Sequence, residues 1–302
     1  MYAIIFIVFG LILGSFLSVC IYRIPASRED LANDPFLDEV KGKSPEKDPN
    51  HKHSYEIISG INSPKRSLCP TCYEQLYWWH NIPVVSWILL KGKCGFCFTP
   101  ISARYPLVEL LTAVFCVFSF SHFGFTPTGV VVFGFCCSLI VLTFIDIDYY
   151  ILPNVITFPG IAVGFILAYL NQIWNLFEAP VVADMSQFVW GVTVGGGFLW
   201  VFAQLYILIR RKEGLGLGDV KLLAMVGAIF GPNAAFYTMF LGSVFGSIFG
   251  LLILSASKRG FSKPFPFGPY LALGAVLYIF WGDQIIEWWL GVLLHSGLIY
   301  GA

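Results

Sequence analysis

The chain has 302 residues, 57% hydrophobic and 17% aromatic, and its 18 basic and 18 acidic residues cancel. A charged fraction of 12% is about half that of an ordinary soluble domain, which excludes a water-soluble globule. So apolar a composition also excludes a disordered chain, and no excess of either sign points to nucleic acid. The composition is that of a polytopic membrane protein.

Residues 1–22 are apolar and long enough to span, since a bilayer core of about 30 Å needs roughly 20 helical residues. No basic region precedes them and Arg23 lies on their far side, so they read as a retained helix with its N-terminus outside rather than as a signal peptide. Residues 23–104 then hold 11 of the basic and 9 of the acidic residues. Beyond them the apolar segments are about 105–123, 128–147, 151–170 and 187–209, a stretch 220–257 interrupted by Gly231-Pro232-Asn233, and about 267–292.

The expected fold is an α-helical polytopic membrane protein with about eight transmembrane helices and a cytoplasmic zinc-ribbon-like insertion after the first helix. Its expected parts are a first helix at 1–22, a cytoplasmic domain at 23–104 and a transmembrane core at 105–302. Lys and Arg concentrate in cytoplasmic loops. With eight crossings and the N-terminus outside, all 18 fall on the inner side, and the outer connection 171–186 carries Glu178 and Asp184 with no basic residue. Basic residues flank 220–257, so this stretch crosses an even number of times, as a hairpin turning at Gly231 would. Its first arm, drawn at 220–231, rises only about 18 Å: either the helix is longer, or it enters without a full crossing. Gly160 and Gly164, and Gly242, Gly246 and Gly250, recur every four residues. Such faces let helices approach closely in lipid, or mark a hinge.

The cysteines fall into two classes. Cys69-Pro-Thr-Cys72 and Cys94-Gly-Phe-Cys97 are two CxxC pairs separated by 21 residues, the spacing of a zinc ribbon. In a cytosolic setting, where disulfides are rare, they indicate a closed structural zinc site; redox pairs and unliganded thiols are the competing readings. Cys20, Cys116, Cys136 and Cys137 lie inside apolar segments and suit packing.

Carboxylates in or beside membrane segments are functional candidates by default. Here they are Glu109, Asp146, Asp148 and Asp219; Asp283 and Glu287 lie near the outer end of the last helix and read as solvated. Asp146 ends one segment and Asp219, after Gly216-Leu217-Gly218, opens another, and the charge map puts both at the inner membrane edge. Two carboxylates meeting there share a proton, so one activates water while the other protonates a peptide carbonyl. The structural alternative makes Asp219 an N-cap and leaves Asp146 and Asp148 as water-facing helix ends.

Seven ordered strings resemble the type IV prepilin peptidases, the bifunctional leader peptidase/N-methyltransferases of bacterial inner membranes. They are Gly14-Ser15-Phe16-Leu17-Ser18-Val19 with Arg23-Ile24-Pro25; Asn81 to Trp87 leading into Lys91-Gly92-Lys93-Cys94; the two CxxC pairs; Arg104-Tyr105-Pro106-Leu107-Val108-Glu109-Leu110; Ile145-Asp146-Ile147-Asp148 with Leu152-Pro153-Asn154; Gly216 to Leu223; and Pro266-Phe267-Gly268-Pro269-Tyr270-Leu271-Ala272. The resemblance covers nearly the whole chain, and its GxGD string is also similar to that of presenilin-type proteases. It implies that Asp146 and Asp219 are the catalytic pair, with Asp148 the weaker first partner. It implies type IV prepilin or type II secretion pseudopilin substrates, cut after the glycine that ends a short basic leader. The new N-terminal residue is then methylated with S-adenosylmethionine.

The resemblance assigns methylation to the cysteine-containing domain. No glycine-rich loop of a nucleotide-binding fold occurs. Gly92 is the candidate cofactor-binding residue, with the Trp78–Asn81 region beside it; packing around zinc is the competing reading for both. Ser18 stands where the family usually has asparagine and Asn154 where many members have aspartate. Residues 26–66, with His51 and His53, match no motif and read as a loop or insertion. A proton-coupled transporter using the aspartates as a relay is the alternative function, although no clear internal repeat supports it. A zinc protease lacks HExxH, and a serine protease using Ser15 or Ser243 lacks a well-placed histidine.

Overall fold

The computed structural model describes residues 2–26, 67–69, 71–72, 74–210, 216–256 and 266–295. The expected insertion at 26–66, Ala26 apart, lies outside the described residues, as do His51 and His53. The helices are α1 (Tyr2–Ala26), α2 (Val85–Leu89), α3 (Arg104–Phe123), α4 (Pro127–Tyr149), α5 (Asn154–Trp174), α6 (Met185–Val192), α7 (Leu199–Arg210), α8 (Leu217–Ala256) and α9 (Gly268–His295). A π-helical segment, Thr193–Phe198, joins α6 to α7. Counting α6 to α7 as one, seven helices among the described residues are long and apolar enough to cross a membrane. The eighth expected helix is an arm of α8, which is broken at Gly231 (φ 84°, ψ −179°). Only glycine adopts this backbone readily, and Pro232 suits the first turn of the arm that follows.

The chain divides into two compact units, residues 1–124 with 133–149, and residues 125–132 with 150–302. In the first, α1 and α3 run antiparallel at very close range. A Cβ on Gly10 would lie 2.5 Å from Ala113 Cα, and one on Gly14 would lie 2.6 Å from Glu109 Cα. Lipid tails are as apolar as leucine, so this backbone approach, rather than exclusion from water, holds such helices together. Phe6 stacks on Phe120 at 4.7 Å, and Phe133 of α4 lies 5.8 Å from Phe120 and 6.2 Å from Phe9.

In the second unit, α5 runs parallel to the first arm of α8: Gly160 meets Met225 and Gly164 meets Ala228. The α6 helix runs antiparallel to that arm, with Gly191 against Gly227 and Gly195 against Leu223. The second arm packs on α9 through Gly242, Gly246 and Gly274. The first arm starts at Leu217 rather than Val220. Residues 217–230 rise about 21 Å, still short of a bilayer core. The connection after α5 completes this end. Val182 is fully buried and donates its N–H to Ile229 O at 3.0 Å. Asn171, also buried, donates to Phe177 O and Val182 O and accepts from Phe177 N. Irregular backbone is tolerated at membrane depth where protein satisfies its polar groups in this way.

Candidate functional site

Asp146 lies in the last turn of α4 and is 6% exposed. Two residues on, Asp148 forms an ion pair with Arg104, the first residue of α3. Arg104 also donates to Phe144 O at 2.7 Å and lies 4.8 Å over the Phe144 ring. Of the two candidates on α4, Asp148 is therefore engaged by an arginine and half-buried, while Asp146 is buried.

Asp219 lies in the first turn of α8 and is half-buried. The two glycines before it have different reasons. A Cβ on Gly216 would lie 3.2 Å from Asp219 Oδ2, so glycine leaves room beside the carboxylate. A Cβ on Gly218 would lie 3.1 Å from Leu152 Cβ, so glycine lets this turn pack on the Leu152-Pro153-Asn154 string. Two residues past Asp219, Lys221 Nζ donates to Asn154 Oδ1 at 2.8 Å and lies 5.6 Å over Phe158. Asparagine thus keeps the acceptor oxygen that an aspartate would supply there. Asp283 and Glu287 are exposed, as expected of solvated residues.

The two CxxC pairs fold alike. Each sits on a turn closed by an isolated β-bridge, Leu68 to Gln75 for the first and Lys93 to Pro100 for the second. Cys69 N donates to Glu74 O and Cys94 N to Thr99 O. The ligand atoms of Cys69, Cys72, Cys94 and Cys97 all lie within 4.8 Å of one another, and all four thiols are free. Four thiolates at about 2.3 Å from one ion would stand about 3.8 Å apart, and Cys69 Sγ lies 3.8 Å from Cys97 Sγ. The donor set therefore fits a tetrahedral soft-metal site. The Thr99 hydroxyl and N–H hold the Cys97 thiol down to about 6. At Cys72 the Glu74 backbone favours the thiolate, but desolvation and hydrogen bonds to Cys69 and Cys97 outweigh it and push the thiol up to about 12. The cluster shares its protons, and a bound dication would displace them.

Gly92 is buried, with φ 67°, and a Cβ there would lie 3.0 Å from the Trp87 ring. Its N–H donates to Trp87 O at 2.8 Å, its carbonyl accepts from Ile101 N at 2.7 Å, and Trp87 Nε1 donates to Ile101 O at 3.1 Å. Gly92 thus fixes Trp87, and it is Trp87 that faces a cavity of about 490 Å³ between α1, the cysteine region and α3. Ser15, Tyr22, His80, Val84 and Glu109 also line it. His80 packs its ring on Tyr77 and Phe96, and its Nδ1 is buried with no hydrogen-bond partner among the described residues. The sequence marks Glu109 as an ionisable group in a membrane segment and the Trp78–Asn81 region as a candidate, but the cavity that joins them is not legible in it. Its walls come from residues 15–23, 67–102 and 105–109.

Residues 8–123 match the model of the bacterial peptidase A24 N-terminal domain, and residues 133–251 match that of the type IV leader peptidase family. Among curated relatives, the prepilin leader peptidase/N-methyltransferase of Pseudomonas aeruginosa is 36% identical, over 94% of this chain and 92% of its own. That of Stutzerimonas stutzeri is 35% identical, over 92% and 90%. That of Xanthomonas campestris pv. campestris is 33% identical, over 96% and 93%. No solved structure matches the chain. With apolar helices, a four-cysteine cluster and identity along nearly its whole length, the chain belongs to the type IV leader peptidase family, that of the prepilin leader peptidase/N-methyltransferases.

Proposed function

We propose that this multi-pass membrane protein cleaves the leader of type IV prepilins or type II secretion pseudopilins, with Asp146 and Asp219 as its aspartate pair, and methylates the new N-terminal residue. The observation that carries the peptidase reading is the buried carboxylate of Asp146 at the end of a membrane helix. An ionisable group there is costly to keep and so marks function. The resemblance of the Gly216-Leu217-Gly218-Asp219 string supports Asp219 as its partner, and Gly218 packs on Leu152 of the Leu152-Pro153-Asn154 string. In this mechanism the two carboxylates hold one proton. The ionised one takes a proton from water as it attacks the scissile carbonyl, and the protonated one donates to the carbonyl oxygen.

The enzyme lies in the bacterial inner membrane with its N-terminus outside and the cysteine region cytoplasmic, an orientation that puts all 18 Lys and Arg residues inside. Residues 105–302 form the peptidase core, and the region at 23–104 serves methylation. A prepilin joins a basic cytosolic leader to an apolar helix, so its scissile bond reaches the inner edge where the aspartates are expected. Cys69, Cys72, Cys94 and Cys97 hold a structural zinc. Four thiolates close its coordination, so the ion scaffolds the domain and takes no part in cleavage.

The cavity bounded by α1, the cysteine region and α3 is the site for S-adenosylmethionine, and its volume suits such a ligand. When bound, the cofactor supplies an electrophilic methyl group on a cationic sulfur. Trp87 and Tyr22 offer aromatic faces, His80 a buried ring nitrogen and Glu109 a carboxylate. Gly92 acts there through the placement of Trp87. A transporter reading gains nothing from the family matches.

The test is prepilin cleavage by purified protein in detergent. Asp146→Asn and Asp219→Asn should each abolish cleavage while the protein remains inserted. Wild-type cleavage by either variant would sink the paired mechanism.

A further inference from the structure

Glu109 takes no part in the peptidase chemistry above, yet it is only 7% exposed and lies on a membrane helix. It stands five residues past the first residue of α3, about 7.5 Å along the axis. The opposing helix makes room for it, because any side chain at Gly14 would strike its backbone.

One neutral donor reaches its carboxyl group: Val84 N–H donates to Oε2 at 2.7 Å. The Ser15 side chain on α1 lines the cavity that Trp87 faces. Val84 delivers that amide from φ 60°, ψ −48°. A β-branched residue is a genuine outlier in the positive-φ region, and such strain persists where the surroundings hold it for a purpose. A carboxylate has about four acceptor positions, so capacity remains beyond the Val84 amide. Glu109 also lines the 490 Å³ cavity, and an occupant there meets it. In a site of low dielectric, the partner that best satisfies both its lone pairs and its charge is a cationic donor.

We propose that Glu109 binds a primary ammonium group in this cavity. The inference rests on the methyltransferase reading, under which two molecules bring such a group. One is the amino-acid end of S-adenosylmethionine, and the other is the new N-terminus of the cleaved pilin. The recognition chemistry is the same for both: a charge-assisted N–H···O bond to Glu109, beside the strained Val84 amide.

Isothermal titration calorimetry on the full chain in detergent separates the sources. The probes are S-adenosylhomocysteine against methylthioadenosine, which lacks the amino-acid end, and a peptide of a mature pilin N-terminus with a free against an acetylated amine. Glu109→Gln should weaken either S-adenosylhomocysteine or the free-amine peptide by about tenfold or more, the loss expected for a hydrogen bond to a charged group. The ammonium-free probe of that pair should be unaffected, and Glu109→Asp, which keeps the charge, should stay closer to wild type. Unchanged binding of both ammonium probes by Glu109→Gln would overturn the proposal. So would an equal loss for the ammonium-free probes, which would mean a merely structural role. Zinc content and melting temperature check that the variants fold. If Glu109→Gln does not fold, wild-type protein decides: equal affinity within both probe pairs overturns the proposal. Failure of the methyltransferase reading has its own signature, since wild-type protein would then transfer no labelled methyl group to cleaved pilin, whatever the outcome at Glu109.

Discussion

Arg104 and Asp148 pair across the first turn of α3 and the last turn of α4. The guanidinium also caps Phe144 O and covers the Phe144 ring, so one side chain grips both sides of Asp146 along the chain. Asp148 is thereby committed to holding the turn, while Asp146 keeps the buried position.

Asp148→Asn should leave leader cleavage measurable, unlike Asp146→Asn, and should cost about 1 kcal/mol, since the pair is partly exposed. Arg104→Ala should act in the same direction. Because both substitutions break one interaction, the double variant should be less destabilised than the sum of the two singles. Thermal melting of the three variants beside a cleavage assay checks this.

Gly227→Ala should be severely destabilising. A Cβ at Gly227 would lie 2.0 Å from Gly191 O, and one at Gly191 would lie 1.9 Å from Gly227 O. Neither backbone can yield without parting α6 from α8, so a loss above about 2 kcal/mol is expected, in the range of overpacked interiors. Gly134→Ala is the control, because among the described residues nothing beyond its own stretch of helix lies within 4 Å of a Cβ there. Folded yield in detergent should fall for the first and hold for the second.

Zinc should co-purify at about one per chain, as a closed four-thiolate site binds a single ion. Its removal should expose thiols of unequal reactivity. Held down to about 6, Cys97 is mostly thiolate at neutral pH, whereas Cys72, pushed up to about 12, remains protonated. Alkylation of metal-free protein should therefore label Cys97 at lower pH and faster than Cys72. Peptide mass spectrometry after timed labelling reads both.

Asp184 caps α6, accepting from Gln187 N at 2.9 Å and from the Ser186 hydroxyl at 2.7 Å. These donors, the Gln187 amide foremost, lower its pKa from the ordinary carboxylate value. A depressed folded pKa means that its stabilisation is present above the ordinary carboxylate range and is lost as pH falls through the folded value. Asp184→Ala should melt roughly 2–4 °C below wild type at neutral pH, with the gap closing as pH falls below the ordinary carboxylate range and through the lowered folded value. Melting curves across pH decide it.

What the sequence determined by itself was local. Hydropathy over some twenty residues located each span to within a few positions, Gly231-Pro232 located the break in α8, and the CxxC spacing located the cluster. Gly160 and Gly164 were legible because a four-residue period marks one helix face. Tertiary structure alone decided the contacts whose partners lie far apart in the chain. Gly191 with Gly195, and Gly227 with Gly231, keep the same four-residue spacing, but that spacing does not name the partner, and the clash that demands glycine exists only where the two backbones cross. The same holds for Arg104 with Asp148, for Val182 sealing the short arm at Ile229, and for the cavity that places Glu109 beside Val84. Composition says that a carboxylate in a membrane helix must be compensated; which atoms compensate it depends on how helices meet, because each group's surroundings come from residues that the chain brings together only when it folds.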